Sequence, residues 1–174
     1  MNHYQAVRIN NLDIIAQKAL ALVPKQRLDI TGLFYLENNK ELFLSIPELR
    51  EELIRLDLLD HIYGIAVYVV YSSTPLSIHK DNGDIIYSLN LPLSGCDNTF
   101  VNFYHSTVPA QEKITPNGNR YFYYPEDDCE LIDQLEMTTP HIINVKVPHA
   151  VINQCTEPRI TMLIRLNLSV GALL

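Results

Sequence analysis

Cysteine is scarce and scattered. Cys96, Cys129 and Cys155 lie far apart with no C-x-x-C pair, so free thiols in a reducing compartment are expected, not a disulfide frame or a zinc site. Basic residues are also few. Against 20 Asp and Glu stand 13 Lys and Arg, for a net charge of −7 and no basic cluster, which argues against a nucleic-acid partner. No long apolar run is present either. The longest, residues 62–70, is too short to span a bilayer and carries tyrosines, so it reads as a buried strand and no membrane partner is expected. The first residues, MNHYQAVRINNLD, lack an apolar stretch behind a basic one. No signal peptide is expected, and the cytoplasm is the expected compartment. Repeats, low-complexity tracts and Ser/Gly linkers are missing too, so a single domain over 1–174 is expected.

What remains is a folded globular composition, 47% hydrophobic with 19% charged residues. The first 60 residues read as helical support with one strand. In NLDIIAQKALAL (11–22) the apolar positions Ile14, Ile15, Ala19 and Leu22 have helical spacing, and Pro24 follows. RLDITGLFYL (27–36) alternates loosely and reads as a strand. In SIPELREELIRLDLL, Ser45 and Glu48 have capping-box spacing, with Pro47 in the first turn and a stripe of Leu49, Leu53, Leu56 and Leu59. From Ile62 the texture changes. Eight short runs rich in Val, Ile, Tyr and Phe follow, punctuated by DNGD, SGCDN, TPNGN and TEP. That pattern indicates a sandwich, jelly roll or barrel over 61–170, so the chain reads as α+β and mainly β.

Chemistry enters at LSIHKDNGD (76–84). On a strand, residues i and i+2 share a face, so His79 and Asp81 would project together while Lys80 points away and DNGD turns the chain. Alone, the pair is equally readable as a charged turn. A mononuclear non-haem iron site takes two imidazoles and a carboxylate on one side of the metal, leaving the remaining positions open. The best-placed third donor is His149, which opens the strand in KVPHAVIN. Ten residues further lies Arg159, with Thr161 on the same strand face. A guanidinium beside a hydroxyl suits a carboxylate held in a bidentate grip.

H-x-D, a distal His, then Arg ten residues on and a hydroxyl residue two further: this order resembles the Fe(II)/2-oxoglutarate-dependent oxygenases over about residues 62–168. The strand pair IIYSLNLPLSGCDNTFVNFY is similar in texture to prolyl-hydroxylase-like members, although SGCDNT stands where that subgroup has Gly-Gly-Glu-Thr. The resemblance implies a double-stranded β-helix (a jelly-roll, cupin-like barrel) with the N-terminal helices packed on it. It implies Fe(II) bound by His79, Asp81 and His149. It also implies 2-oxoglutarate as co-substrate, its C5 carboxylate on Arg159 with Thr161 in support. Tyr87, Asn90, Asn102 and Tyr104 lie on the next two strands, and strand register decides which face inward. Asn90 and Tyr104 are the expected pair.

The remaining candidates read as structural. His141 has Val151, not an arginine, at +10. His105 ends a strand near the expected mouth and reads as a surface residue, PEDD (125–128) reads as a solvated loop, and His3 and His61 have no spacing partner. Arg165 shares the face of Arg159 and is the alternative anchor. Segment 106–130 is a candidate lid. The expected activity is hydroxylation of a small molecule, amino acid or peptide side chain. The rivals are a cupin-like metal protein that does not use 2-oxoglutarate and a non-enzymatic β-sandwich interaction module.

Overall fold

A computed structural model of the chain describes residues 3–29, 32–34, 39–72, 77–81, 85–114 and 120–167. The chain opens with β1 (Tyr4–Ala6), α1 (Leu12–Leu22), α2 (Lys25–Leu28), β2 (Gly32–Phe34), α3 (Asn39–Leu44) and α4 (Pro47–Arg55). A 3-10 turn (Leu59–His61) leads into β3 (Ile62–Val70), β4 (Ile78–Lys80), β5 (Tyr87–Ser94), β6 (Thr99–Ser106), β7 (Gln111–Ile114) and β8 (Arg120–Tyr124). After a second such turn (Glu126–Asp128) come β9 (Cys129–Glu136), β10 (His141–Asn144), β11 (His149–Asn153) and β12 (Arg159–Leu166). The fold is mainly β. Two six-stranded sheets run in the orders β1-β10-β5-β12-β3-β2 and β7-β8-β4-β11-β6-β9, and every pairing is antiparallel. Among the described residues no helix is long and apolar enough to cross a membrane.

Alternation on β12 explains the layering. Ile160, Met162, Ile164 and Leu166 face the helices, where they join Ile65, Leu89, Leu49, Leu53 and Phe43 in the largest core cluster. Leu49 and Leu53 are fully buried, each contributing about 1.5–3 kcal/mol. The opposite parity carries Arg159, Leu163 and Arg165, which face the second sheet across a cavity. Val70, Val101, Phe103, Ile143 and Val151 close the apolar layer between the sheets. Glu52 ties the helices to the N-terminal segment. Its buried carboxylate accepts from Asn10 N (3.0 Å), Asn10 Nδ2 (2.9 Å) and Arg55 Nη2 (2.6 Å).

Several expectations need correction. Ser45 and Glu48 do not form a capping box. Ile46 occupies the N-cap of α4 with no side-chain bond, Ser45 Oγ donates back to Leu42 O at 2.7 Å, and Glu48 accepts from Lys18 at 2.6 Å. The stretch 27–36 is not one strand, since α2 runs to Leu28; among its described residues Gly32–Phe34 pairs with β3, and residues 30, 31, 35 and 36 lie outside the described residues. Ile14 is 43% exposed; Ala16 takes its place on the buried face of α1. α3 was not expected at all. Much of the candidate lid is instead strand, because β8 pairs with β4 and β7 with β8. Residues 115–119 of that segment, and Asn82, Gly83 and Asp84 of the expected DNGD turn, lie outside the described residues.

Candidate metal centre

β11 crosses β4 in register with His149 directly opposite His79. Directly opposed residues of an antiparallel pair have Cβ atoms about 4.5–5.5 Å apart, and the two ring centroids are 4.6 Å apart at 44°. Asp81 follows His79 by two residues, onto the same face. Its backbone N–H donates to Val145 O at 3.1 Å, which fixes the chain just beyond the end of β4. One ligand atom from each of His79, Asp81 and His149 lies within 4.8 Å of the others, and His79 Nε2 is 3.8 Å from Asp81 Oδ1.

Both rings are held through Nδ1, which lies 2.8 Å from Ser77 O for His79 and 2.9 Å from Val147 O for His149. A backbone carbonyl at Nδ1 fixes the proton there and turns Nε2 inward as an electron-pair donor, the usual arrangement behind a ligating imidazole. Burial, and then His79, push the pKa of His149 down to about 4, against the pull of Asp81. The donor set is two imidazoles and one carboxylate, a combination suited to a divalent transition metal.

These residues open onto a cavity between the sheets. The first sheet contributes Tyr68, Ser88, Asn90, Ile143, Arg159, Leu163 and Arg165, and the second adds Val101 and Val151 beside the two histidines. Water centres can reach about 60 Å³ of it, room for on the order of four to six waters and so for roughly one small organic acid. One end is open: the side chains of His79, Arg165 and Asp81 are 25%, 16% and 15% exposed. The other end is closed by Arg159, which has no exposure. None of the three guanidinium nitrogens of Arg159 has a hydrogen-bond partner among the described residues. Burial lowers its pKa, opposed by Cys96 and Tyr68. A buried guanidinium with no acceptor is costly, and a carboxylate is the group whose geometry matches it.

Of the other expected co-substrate residues, Asn90 lines the cavity, its Oδ1 accepting from Ser88 Oγ at 2.6 Å. Tyr104 does not. On β6 the inward parity is Thr99, Val101 and Phe103; Tyr104 faces the outer side, where it shares a separate depression with Lys80, His105, Tyr124 and Pro148. Asn102 also faces outward, its Nδ2 donating to Tyr104 Oη at 3.3 Å, while Tyr87 packs toward the helices. Thr161 shares the face of Arg159 but is fully buried beside Cys96, 3.9 Å from Sγ, and does not line the cavity. Lys80 points away from the site, its Nζ 5.4 Å from the centroid of the Tyr124 ring. His141 is buried, with Nδ1 on Thr139 O and its ring edge to Tyr4; His3 stacks on Phe103. Cys96, Cys129 and Cys155 are free thiols.

Tyr68 is the residue that the sequence did not flag. Burial pushes its phenol up to about 12, with Arg159 lowering it and Asp81 raising it, so the hydroxyl keeps its proton in the wall of the cavity. The signal was a tyrosine flanked by valines in the apolar half of β3, where a buried hydroxyl calls for a polar neighbour.

No protein-family model matches the chain, and no curated protein matches it. Among solved structures it is similar to a non-heme monooxygenase, ThoJ, as a nickel complex (12% identity, 94% of this chain and 73% of that one, TM-score 0.48). It is similar to the apo form of ThoJ at 13% identity, the same coverage and TM-score 0.49. Acireductone dioxygenase from Bacillus anthracis, with a cadmium ion in its active centre, is matched at 12% identity over 94% of this chain and 76% of that one, with TM-score 0.35. Likeness at this level decides nothing about activity, which rests on the cavity itself.

Proposed function

We propose that the chain is an Fe(II)- and 2-oxoglutarate-dependent dioxygenase on a double-stranded β-helix, hydroxylating a small molecule, an amino acid or a peptide side chain. One observation carries this reading. A single cavity holds a His-Asp-His donor set at its open end and a fully buried guanidinium without an acceptor at its closed end.

In this reading His79 and His149 offer Nε2 and Asp81 offers a carboxylate oxygen to Fe(II). Arg159 takes the far carboxylate of 2-oxoglutarate in a fork, with Thr161 steadying that end of the strand. Iron with 2-oxoglutarate, when bound, supplies the oxidising chemistry: one atom of O2 enters the substrate and the other enters succinate as CO2 leaves. The protein does the rest. Nδ1 contacts hold both imidazoles in the ligating tautomer, Tyr68 stays protonated and donates toward the co-substrate, and Asn90 presents the amide nitrogen that Ser88 does not engage. Val101, Val151 and Leu163 give the cavity between the two ends an apolar wall.

A cupin-like site without 2-oxoglutarate has no use for the buried guanidinium, and an interaction module has no use for either end. Succinate formation from 2-oxoglutarate with Fe(II) and ascorbate tests the reading, together with calorimetry of 2-oxoglutarate on the Mn(II)-loaded protein. The expected result is slow succinate release without added substrate and saturable binding that requires metal. Metal binding without 2-oxoglutarate affinity would return the cupin-like reading; no metal binding would return the interaction module.

A further inference from the structure

The outer face of the second sheet carries the depression that Tyr104 and Lys80 share. Water centres can reach about 310 Å³ of it, against about 60 Å³ of the cavity between the sheets, a volume of the order that small-molecule sites occupy. Much of its wall is flat and apolar, from the rings of Tyr104 and Tyr124 and from Pro109 and Pro148. Tyr124 is 6% exposed and packs with Ile78 and Ala150, so its ring is held in place. Such surfaces accept the face of a planar ring.

Two polar groups in this wall have donors to spare. Among the described residues, Lys80 is the one lining residue of fixed positive charge, and no carboxylate lines the depression. Lys80 Nζ lies 5.4 Å from the centroid of the Tyr124 ring and makes no hydrogen bond or ion pair with a described residue. Tyr104 ends a relay that runs in one direction. Gln134 Nε2 donates to Asn102 Oδ1 at 2.9 Å, and Asn102 Nδ2 donates to Tyr104 Oη at 3.3 Å. The phenol oxygen is thus already an acceptor, and its own hydrogen remains to be given. Ser106, by contrast, is spent: its Oγ donates to Val108 O at 2.9 Å and accepts from Val108 N at 3.3 Å. An ammonium and a phenol that both lack an acceptor, in a pocket free of carboxylates, select an anion even in a chain of net charge −7.

The depression stands back to back with the metal centre. Lys80 lies between His79 and Asp81 on β4 but points the other way, and Pro148, whose oxygen accepts from Tyr104 N at 2.8 Å, directly precedes His149. The sheet itself separates a molecule held here from the candidate metal ligands.

We propose that this depression is a second binding site, for a small aromatic carboxylate. Lys80 Nζ and Tyr104 Oη hold the carboxylate, and the ring lies against Tyr124 and the two prolines. The site is distinct from the cavity between the sheets and does not depend on the dioxygenase reading.

The test is an amide NMR titration of the isotope-labelled protein with sodium benzoate, beside benzamide, which lacks the charge, and acetate, which lacks the ring. Benzoate should give saturable shifts centred on His105, Ser106 and Tyr124, with Tyr68, Asn90 and Leu163 unmoved. Benzamide and acetate should each bind about 10-fold more weakly or worse. K80M and Y104F should each weaken benzoate by about 10-fold or more, with spectra away from the depression superimposable on the wild type, and K80R should recover part of the loss. R159M, or an excess of the 2-oxoglutarate analogue N-oxalylglycine, should leave benzoate binding unchanged. The inference is overturned if benzoate does not saturate, if the three probes bind alike, or if K80M or Y104F binds benzoate as tightly as the wild type. It is also overturned if the shifts centre on Tyr68 and Asn90 or are lost in R159M, which would place the carboxylate on the buried guanidinium instead.

Discussion

His79 and His149 face each other across the β4–β11 pair, with their ring centroids 4.6 Å apart and each Nδ1 on a backbone carbonyl. Cross-strand pairing therefore performs the task of bringing two candidate ligands together from residues 70 apart in the chain. The carboxylate needs only the two-residue period of a strand to join them.

Removing either imidazole should abolish metal stabilisation. Mn(II) at about 100 times its dissociation constant should stabilise the wild type by about 2.7 kcal/mol, or several degrees in a thermal scan. His79→Ala and His149→Ala should show no Mn(II)-dependent shift. A full shift in either variant would take that residue out of the donor set.

Lys80→Ala is the matching control. Lys80 sits between two proposed ligands in sequence, yet lies over Tyr124 on the outer face. Its removal should leave the Mn(II) shift within error of the wild type. A lost shift would mean that the outer face bears on the site.

Arg159→Met should stabilise the protein while disabling it. The guanidinium is buried without an acceptor, and exchanging such a charge for an apolar chain of similar length should raise stability by about 1–4 kcal/mol in urea melts. Calorimetry on the Mn(II)-loaded variant should show 2-oxoglutarate affinity falling by about 30-fold or more. A less stable variant with intact affinity would contradict the role assigned to Arg159.

Gly95→Ala should act on the same arginine from a distance. Gly95 has φ +61°, and a Cβ there would lie 2.2 Å from Pro158 O, one residue before Arg159. The substitution should cost about 1–3 kcal/mol in urea melts. It should also weaken N-oxalylglycine binding, which a purely local strain would not do.

Glu52 should govern part of the acid limb. Its pKa is lowered, chiefly by the hydrogen bond from Arg55 and then by those from Asn10, against the opposing effect of burial. A carboxylate with a lowered folded pKa binds fewer protons folded than unfolded. Its contribution is complete above its ordinary value of 4.5 and is lost as pH falls through the folded value. Urea midpoints followed from pH 7 to pH 3 should decline less steeply below pH 4.5 for Glu52→Gln, from a lower starting stability. An unchanged slope would show that Glu52 does not titrate with unfolding.

Much of the site was legible because it depends on parity. His79 and Asp81 share a face by spacing alone, and so do Arg159 and Thr161. β6 was not legible in the same way. Phe100, Asn102 and Tyr104 on one parity look as capable of burial as Val101 and Phe103 on the other, because the outer face of that sheet has its own small cluster around Ile78, Tyr124 and Ala150. Ser45 misled for a related reason. Its hydroxyl closes the end of α3 instead of opening α4, and the spacing that suggests a cap cannot show that two helices abut there. Tyr68 was hidden because the two charges that act on it come from elsewhere in the chain, Arg159 from the neighbouring strand β12 of its own sheet and Asp81 from the end of β4 in the other.

The gradient of exposure from His79 to Arg159 has a kinetic consequence. A molecule that must reach the sealed end has to pass the mouth while the mouth is vacant, and one seated at the mouth bars the way behind it. Under the proposed function, co-substrate and substrate should therefore load in a compulsory sequence, inner before outer. Product at the rim should inhibit by trapping the spent co-substrate beneath it, and initial-rate patterns should be sequential and ordered, not random.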